Sequence, residues 1–175
     1  MQRKFIFDGG ASTRYHTVEV HNRQSIADHS FGVAWFCELI TEGAASKELI
    51  MAALAHDLAE HKTGDIPSPV KRRFSTAGAN AWDTMEQIQL DNGGVGGYSR
   101  TLTDIECNVL KYADMMEGLM FCVRERSLGN KNVDIVFGNF WSYIHLKLAD
   151  DARNYVERVN LLIEEIHKEW EIAIQ

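Results

Sequence analysis

The chain has 175 residues, 45% hydrophobic and 25% charged, with a formal net charge of -7. That length holds one domain with a sizeable core. The acidic balance excludes a general electrostatic pull toward nucleic acid or an anionic membrane.

Taken in chain order, the stretch to about Gln24 is glycine-, polar- and histidine-rich and reads as an extended arm. It opens on Met1-Gln2-Arg3-Lys4-Phe5, without the apolar run of a signal peptide. Ser25 is a candidate N-cap, and Ile26, His29, Val33, Phe36, Cys37 and Ile40 then fall on one helical face. Gly43 ends this helix. Ser46 caps the next, in which Leu49, Ile50, Ala53, His56, Asp57 and Glu60 recur at three- and four-residue steps. A loop follows from Thr63 to Pro69, where Gly64 and both prolines of the chain lie.

A third helix is expected over Asn80 to Leu90. The Gly93-Gly94-Val95-Gly96-Gly97 run reads as a flexible connection; it lacks the strand and lysine of a phosphate-binding loop. Thr103 and Glu106 form a capping box that opens a long helix, with Ile105, Val109, Tyr112, Ala113, Met116 and Leu119 directed inward. Two further helices span about Val133 to Leu148 and Ala152 to Ile174. The expected architecture is all-α, one domain over residues 1–175, with a short irregular N-terminal arm. Cys37, Cys107 and Cys122 are odd in number and embedded in apolar helical runs, so they read as buried thiols in a reducing compartment. No apolar run is long enough to span a membrane, and the cytosol is the expected location.

The chemistry lies between Ala27 and Asp114. The segments are Ala27-Asp28-His29-Ser30, Ala55-His56-Asp57-Leu58-Ala59-Glu60, Thr63-Gly64-Asp65-Ile66-Pro67 and Lys111-Tyr112-Ala113-Asp114. Each element has an ordinary reading. A single helical histidine is more often core or surface, and His21, His61, His145 and His167 are read that way. Met115, Met116 and Met120 are read as core. A lone aspartate is usually solvated, yet Asp114 sits amid an apolar face. Burying imidazoles and carboxylates unpaired is costly, and one metal ion would satisfy His29, His56, Asp57 and Asp114 together. Two nitrogens and two carboxylates suit a transition metal better than calcium.

The order His, His-Asp, Asp resembles the HD superfamily of metal-dependent phosphohydrolases. The run from Ala55 through Thr63-Gly64-Asp65-Ile66-Pro67-Ser68-Pro69-Val70-Lys71 is similar to that of HD-type 5'-deoxynucleotidases and phage dATP triphosphohydrolases. Upstream, Gly9-Gly10 and Arg14-Tyr15-His16-Thr17 resemble the group's substrate-binding arm. Asp28 stands where the group commonly has Glu. Tyr15 stands where the bacterial deoxynucleotidases have Trp, which favours the phage-type arm. The resemblance implies an HD-type helical bundle with His29, His56, Asp57 and Asp114 on one divalent transition metal (zinc, cobalt or manganese, with magnesium as an alternative). It gives acid/base or water-positioning roles to Glu60 and Asp65, and substrate contacts to Arg14, Tyr15, His16 and Lys71. The ordinary readings are a surface carboxylate for Glu60, a turn former for Asp65 and solvated side chains for Arg14 and Lys71.

The expected activity is cleavage of the 5'-phosphoester of 2'-deoxynucleotides, with dATP giving deoxyadenosine and triphosphate. The alternatives are a 5'-deoxynucleotidase acting on monophosphates and a non-catalytic nucleotide-binding regulator. The expected partners are the deoxynucleotide and further copies of the chain, through Trp141, Tyr143, Tyr155 and Trp170 unless these fill the core. The host cytoplasm is the location if the protein is phage-encoded.

Overall fold

The computed structural model describes residues 2–67, 70, 79–149 and 155–175. Lys71, Ser68, Pro69 and the expected helix start at Ala152 lie outside them. The described elements are α1 (Gln2–Gly10), α2 (Ile26–Ile40), α3 (Lys47–Ala55), α4 (Glu60–Thr63), α5 (Ala79–Asn92), α6 (Gly97–Arg100), α7 (Asp104–Ser127), a 3-10 turn (Lys131–Val133), α8 (Asp134–Ala149) and α9 (Val156–Ala173). The fold is all-α, with no strand among the described residues; an isolated bridge joins Thr13 to Ser25.

Capping chemistry starts the central helices where the sequence places it. Ser25 Oγ accepts from the Asp28 amide, and the Asp28 carboxylate accepts from the Ser25 amide at 3.2 Å. Ser46 caps α3, and Thr103 caps α7 reciprocally with Glu106. These side chains satisfy amide donors that the first helical turn leaves unpaired. Ser46 Oγ also donates to Glu106 Oε1 at 2.5 Å, so the starts of α3 and α7 are tied together.

α7 is the axis of the bundle and packs against α2, α8 and α9. Its Val109, Tyr112, Ala113, Met116 and Leu119 are buried with Val33, Cys37 and Ile40 of α2 and Ile163 and Ile166 of α9. Removing that apolar surface from water is the main stabilising contribution. Trp170 belongs to this core, stacked on Phe137 with ring centroids 3.8 Å apart, and Trp141, Tyr143 and Tyr155 pack against it. The C-terminal aromatics are therefore taken up by the core, Trp170 wholly and the other three in part.

Four expectations are corrected. The first stretch is not extended throughout: α1 occupies its beginning, and residues 11–25 form the irregular arm. Gly9 permits this, because a Cβ there would sit 2.7 Å from the Leu58 carbonyl oxygen. Close backbone approach is what the glycine supplies, rather than a helix break. Secondly, α3 ends at Ala55, and i→i+3 bonds (Leu58 amide to Ala55, Glu60 amide to Asp57) form a tightened turn over the next residues. Thirdly, Ile105, at the very start of α7, is 40% exposed, although it shares the helical face of Val109 and Tyr112. Fourthly, Cys107 is exposed, while Cys37 and Cys122 are buried. Within the Gly93–Gly97 run, the Gly94 carbonyl accepts from Gln2 Nε2 of α1 at 3.1 Å.

Candidate active site

Three segments deliver donor groups to one point. His29 lies on the buried face of α2, fully enclosed; His56 and Asp57 follow α3 in the tightened turn; Asp114 comes from the middle of α7. His29 Nε2 is 3.3 Å from His56 Nε2, 3.4 Å from Asp57 Oδ2 and 3.2 Å from Asp114 Oδ1. His56 Nε2 is 3.4 Å from Asp57 Oδ2 and 4.0 Å from Asp114 Oδ1. Donors around a tetrahedral ion with bonds near 2.0–2.1 Å are separated by about 3.3 Å. Donor chemistry and spacing fit a transition metal for His29, His56 and Asp57, which form one compact group; Asp114 adjoins that group on the His29 side.

Each imidazole is oriented from behind. His56 Nδ1–H donates to the Ala53 carbonyl at 2.8 Å, and His29 Nδ1 lies 2.5 Å from Glu117 Oε2. Both rings thereby turn Nε2 toward the common point. The electrostatics are those of a compact set of opposed charges. Burial pushes the Asp114 carboxyl up, but its hydrogen bond with His29 and the charges of His29, His56 and Lys111 outweigh that and hold it well below the usual carboxylate range. Asp57 is also lowered: burial raises it, and the charges of His56, Arg14 and His29 override. His29 is raised, because Asp114 and Glu117 hydrogen bonds and the Asp57 charge overcome burial and the Arg14 charge. Mutual charge stabilisation of this kind marks functional sites more often than ordinary surface.

Glu60 starts α4, one turn beyond the His56-Asp57 pair, and is 8% exposed. Asp65 lies just past α4 and faces the arm, accepting from the Tyr15 amide at 3.3 Å, with His16 Nδ1 at 3.5 Å. Arg14 is partly buried; its Nη1 is 3.4 Å from Gln24 Oε1 and 3.7 Å from Glu117 Oε2. Burial opposes its charge, but the field of Tyr15, Asp57, Asp114 and Glu117 holds the guanidinium more firmly protonated than usual. Tyr15 has a positive φ of 59°, and its ring stacks on Phe121 at 4.2 Å. Its hydroxyl is buried with no hydrogen-bond partner among the described residues. Arg14, Tyr15, His16 and Asp65 thus gather beside the cluster, while Lys71 lies outside the described residues.

Sequence reading missed Glu117 and Glu125. Both are charged residues within the apolar run of α7, yet both are buried, at 1% and 2% exposure. Their signal was available: a glutamate one turn after Asp114, and another two turns further on, interrupt a stretch of core residues. Glu125 accepts from the amides of His21 and Asn22 and from Asn130 Nδ2, at 2.7, 2.9 and 2.8 Å.

Solved structures share this architecture. An HD phosphohydrolase of cyanophage S-2L (DatZ), determined with dA and one catalytic Zn2+ ion, superposes with a TM-score of 0.69 at 19% identity, covering 97% of this chain and 96% of that one. An HD-domain phosphohydrolase from Listeria innocua gives 0.71 at 20% identity, over 98% and 90%. The protein PH0347 of Pyrococcus horikoshii gives 0.69 at 19% identity, over 96% and 98%. No curated protein matches the sequence. The fold is that of the HD phosphohydrolases. Within that class the chain belongs to the YfbR-like 5'-deoxynucleotidase family, whose model matches residues 11–169.

Proposed function

We propose that this protein hydrolyses the 5'-phosphoester of 2'-deoxynucleotides with one divalent transition metal held by His29, His56, Asp57 and Asp114. The observation that carries the reading is the meeting of two Nε2 atoms and two carboxylate oxygens from three separate segments. A bound ion would bring a water's pKa toward neutrality and offset charge on the phosphoryl oxygens. Glu60, one turn beyond the ligand pair, would orient that water or pass a proton to O5', and Asp65 would be the second carboxylate for that work. Attack at the α-phosphorus breaks its bond to O5', so dATP and water give deoxyadenosine and triphosphate. Arg14 supplies a permanent positive charge for the phosphate, with Tyr15, His16 and Lys71 completing the substrate contacts.

The preference for dATP rests on the Arg14-Tyr15-His16-Thr17 arm. Cleavage of monophosphates is favoured instead by membership of the 5'-deoxynucleotidase family. Both readings cut the same bond and differ in the room left for outer phosphates. Phosphorus NMR of the reaction decides between them. Triphosphate from dATP is the expected product; turnover of dAMP with none of dATP would select the monophosphatase, and pyrophosphate would exclude the proposed bond.

The reading extends to location and assembly. No helix among the described residues is long and apolar enough to cross a membrane, and the cytoplasm is the proposed location. A homo-oligomer is proposed as well. The face for it is the exposed α2 stripe of Phe31, Trp35 and Leu39, in place of the C-terminal aromatics. Glu38, Glu42 and Arg158 line the same groove, so charges of both signs are available for a self-complementary contact. Light scattering of the purified protein, with Trp35→Glu as the disrupting variant, tests this.

A further inference from the structure

We infer that Glu117 is a positioning residue that holds His29 with Nε2 toward the ion and joins this ligand to the substrate arm. The inference rests on the metal site proposed above. His29 has no solvent exposure, so its second ring nitrogen must be satisfied inside the protein. It lies 2.5 Å from Glu117 Oε2. The other carboxylate oxygen accepts from Gln24 Nε2 at 2.7 Å and from Arg124 Nη2 at 3.2 Å. Arg14 Nη1 is 3.7 Å from Oε2. One buried carboxylate therefore contacts the ligand and both ends of the arm hairpin that begins at Arg14 and closes at Gln24.

Helix α2 is notched to receive this group. Gly32, one turn beyond His29, faces Glu117, and a Cβ there would lie 2.5 Å from Glu117 Cγ. The notch, the short contact and the converging donors all belong to residues from separate parts of the chain. A carboxylate behind a metal-bound imidazole fixes which nitrogen carries the proton and raises ligand basicity. His56 receives the same orientation from a backbone carbonyl, which no side-chain substitution removes. His29 depends on Glu117.

The test is zinc affinity, measured by competition with a chromophoric chelator, together with nitrogen-15 NMR of the His29 ring in the zinc-loaded protein. Loss of such a partner typically weakens metal binding by about 10–100-fold. Glu117→Gln should fall in that range with its helical circular dichroism intact, and Glu117→Asp, which keeps the charge, should recover part of the loss. The wild-type spectrum should show Nε2 shifted by zinc and Nδ1 still carrying its proton. Zinc on Nδ1 of the wild type overturns the proposal whether or not the variants fold. Unchanged affinity in Glu117→Gln overturns it too and leaves the metal site standing. A wild type that binds no zinc at all removes the site reading, and the positioning role with it.

Discussion

The donor cluster and the arm lie side by side and are built in opposite ways. The cluster takes its side chains from α2, the turn after α3, and α7, whose backbones are held by helical bonds and side-chain caps. The arm has little ladder of its own. Its two ends meet through the Thr13–Ser25 bridge, with the Arg14 amide on the Gln24 carbonyl at 2.9 Å and the Ile26 amide on that of Ser12 at 2.8 Å. Between these ends, carboxylates from elsewhere take up backbone amides: Glu125 for His21 and Asn22, and Asp65 for Tyr15. Backbone amides outside regular structure still need partners, and an irregular segment that cannot supply them borrows side chains. Substitutions in the cluster should therefore act on metal and turnover, whereas substitutions in the arm's anchors should act on stability and substrate affinity.

The largest expected effect sharpens the first half of that contrast. Asp57→Ala should abolish both metal retention and turnover, read by elemental analysis and by product formation. Glu60→Ala should separate the two properties. It is expected to keep the metal while losing about 10²–10⁴-fold in rate, the usual size of an acid/base contribution. Unaltered turnover at saturating substrate would remove Glu60 from the chemistry.

The anchors give smaller effects of another kind. Burial pushes the Glu125 carboxyl up, but hydrogen bonds from Asn130 and the His21 and Asn22 amides outweigh this and lower it. A lowered group contributes stability that is present above the ordinary glutamate range and lost as pH falls through its native value. Glu125→Gln should cost about 1–3 kcal/mol at neutral pH, the range for a disrupted buried hydrogen-bond set. It should raise KM and leave zinc affinity unchanged. The gap in Tm between the two proteins should close on acidification; a gap that widens in acid would contradict the anchoring role. Tyr15→Phe is the smallest change. Its hydroxyl is buried without a partner among the described residues, so removal should leave the stability of the substrate-free protein equal or up to about 1 kcal/mol higher.

Local chemistry explains which parts of this arrangement the sequence disclosed. Ser25, Ser46 and Thr103 announce helix starts because capping is a short-range property. The apolar faces of α2 and α7 are legible because burial follows the helical period. His29, His56, Asp57 and Asp114 stand out as polar groups in those settings. What escaped depends on contacts between distant segments. The glycine- and polar-rich composition of the first stretch reads as extended, and only the close approach of Leu58 to Gly9 shows why a glycine stands in α1. The end of α3 at Ala55 has no proline or glycine to mark it. Glu117 and Glu125 gain their meaning from Gln24, His21 and Asn22, about a hundred positions away in the chain.

The central claim is that four side chains from three segments hold one divalent ion. Anomalous scattering from crystals grown with zinc tests it most directly. The account predicts one strong peak about 2.0–2.2 Å from His29 Nε2, His56 Nε2, Asp57 and Asp114. An empty cluster, or a zinc peak held by other residues, would contradict it.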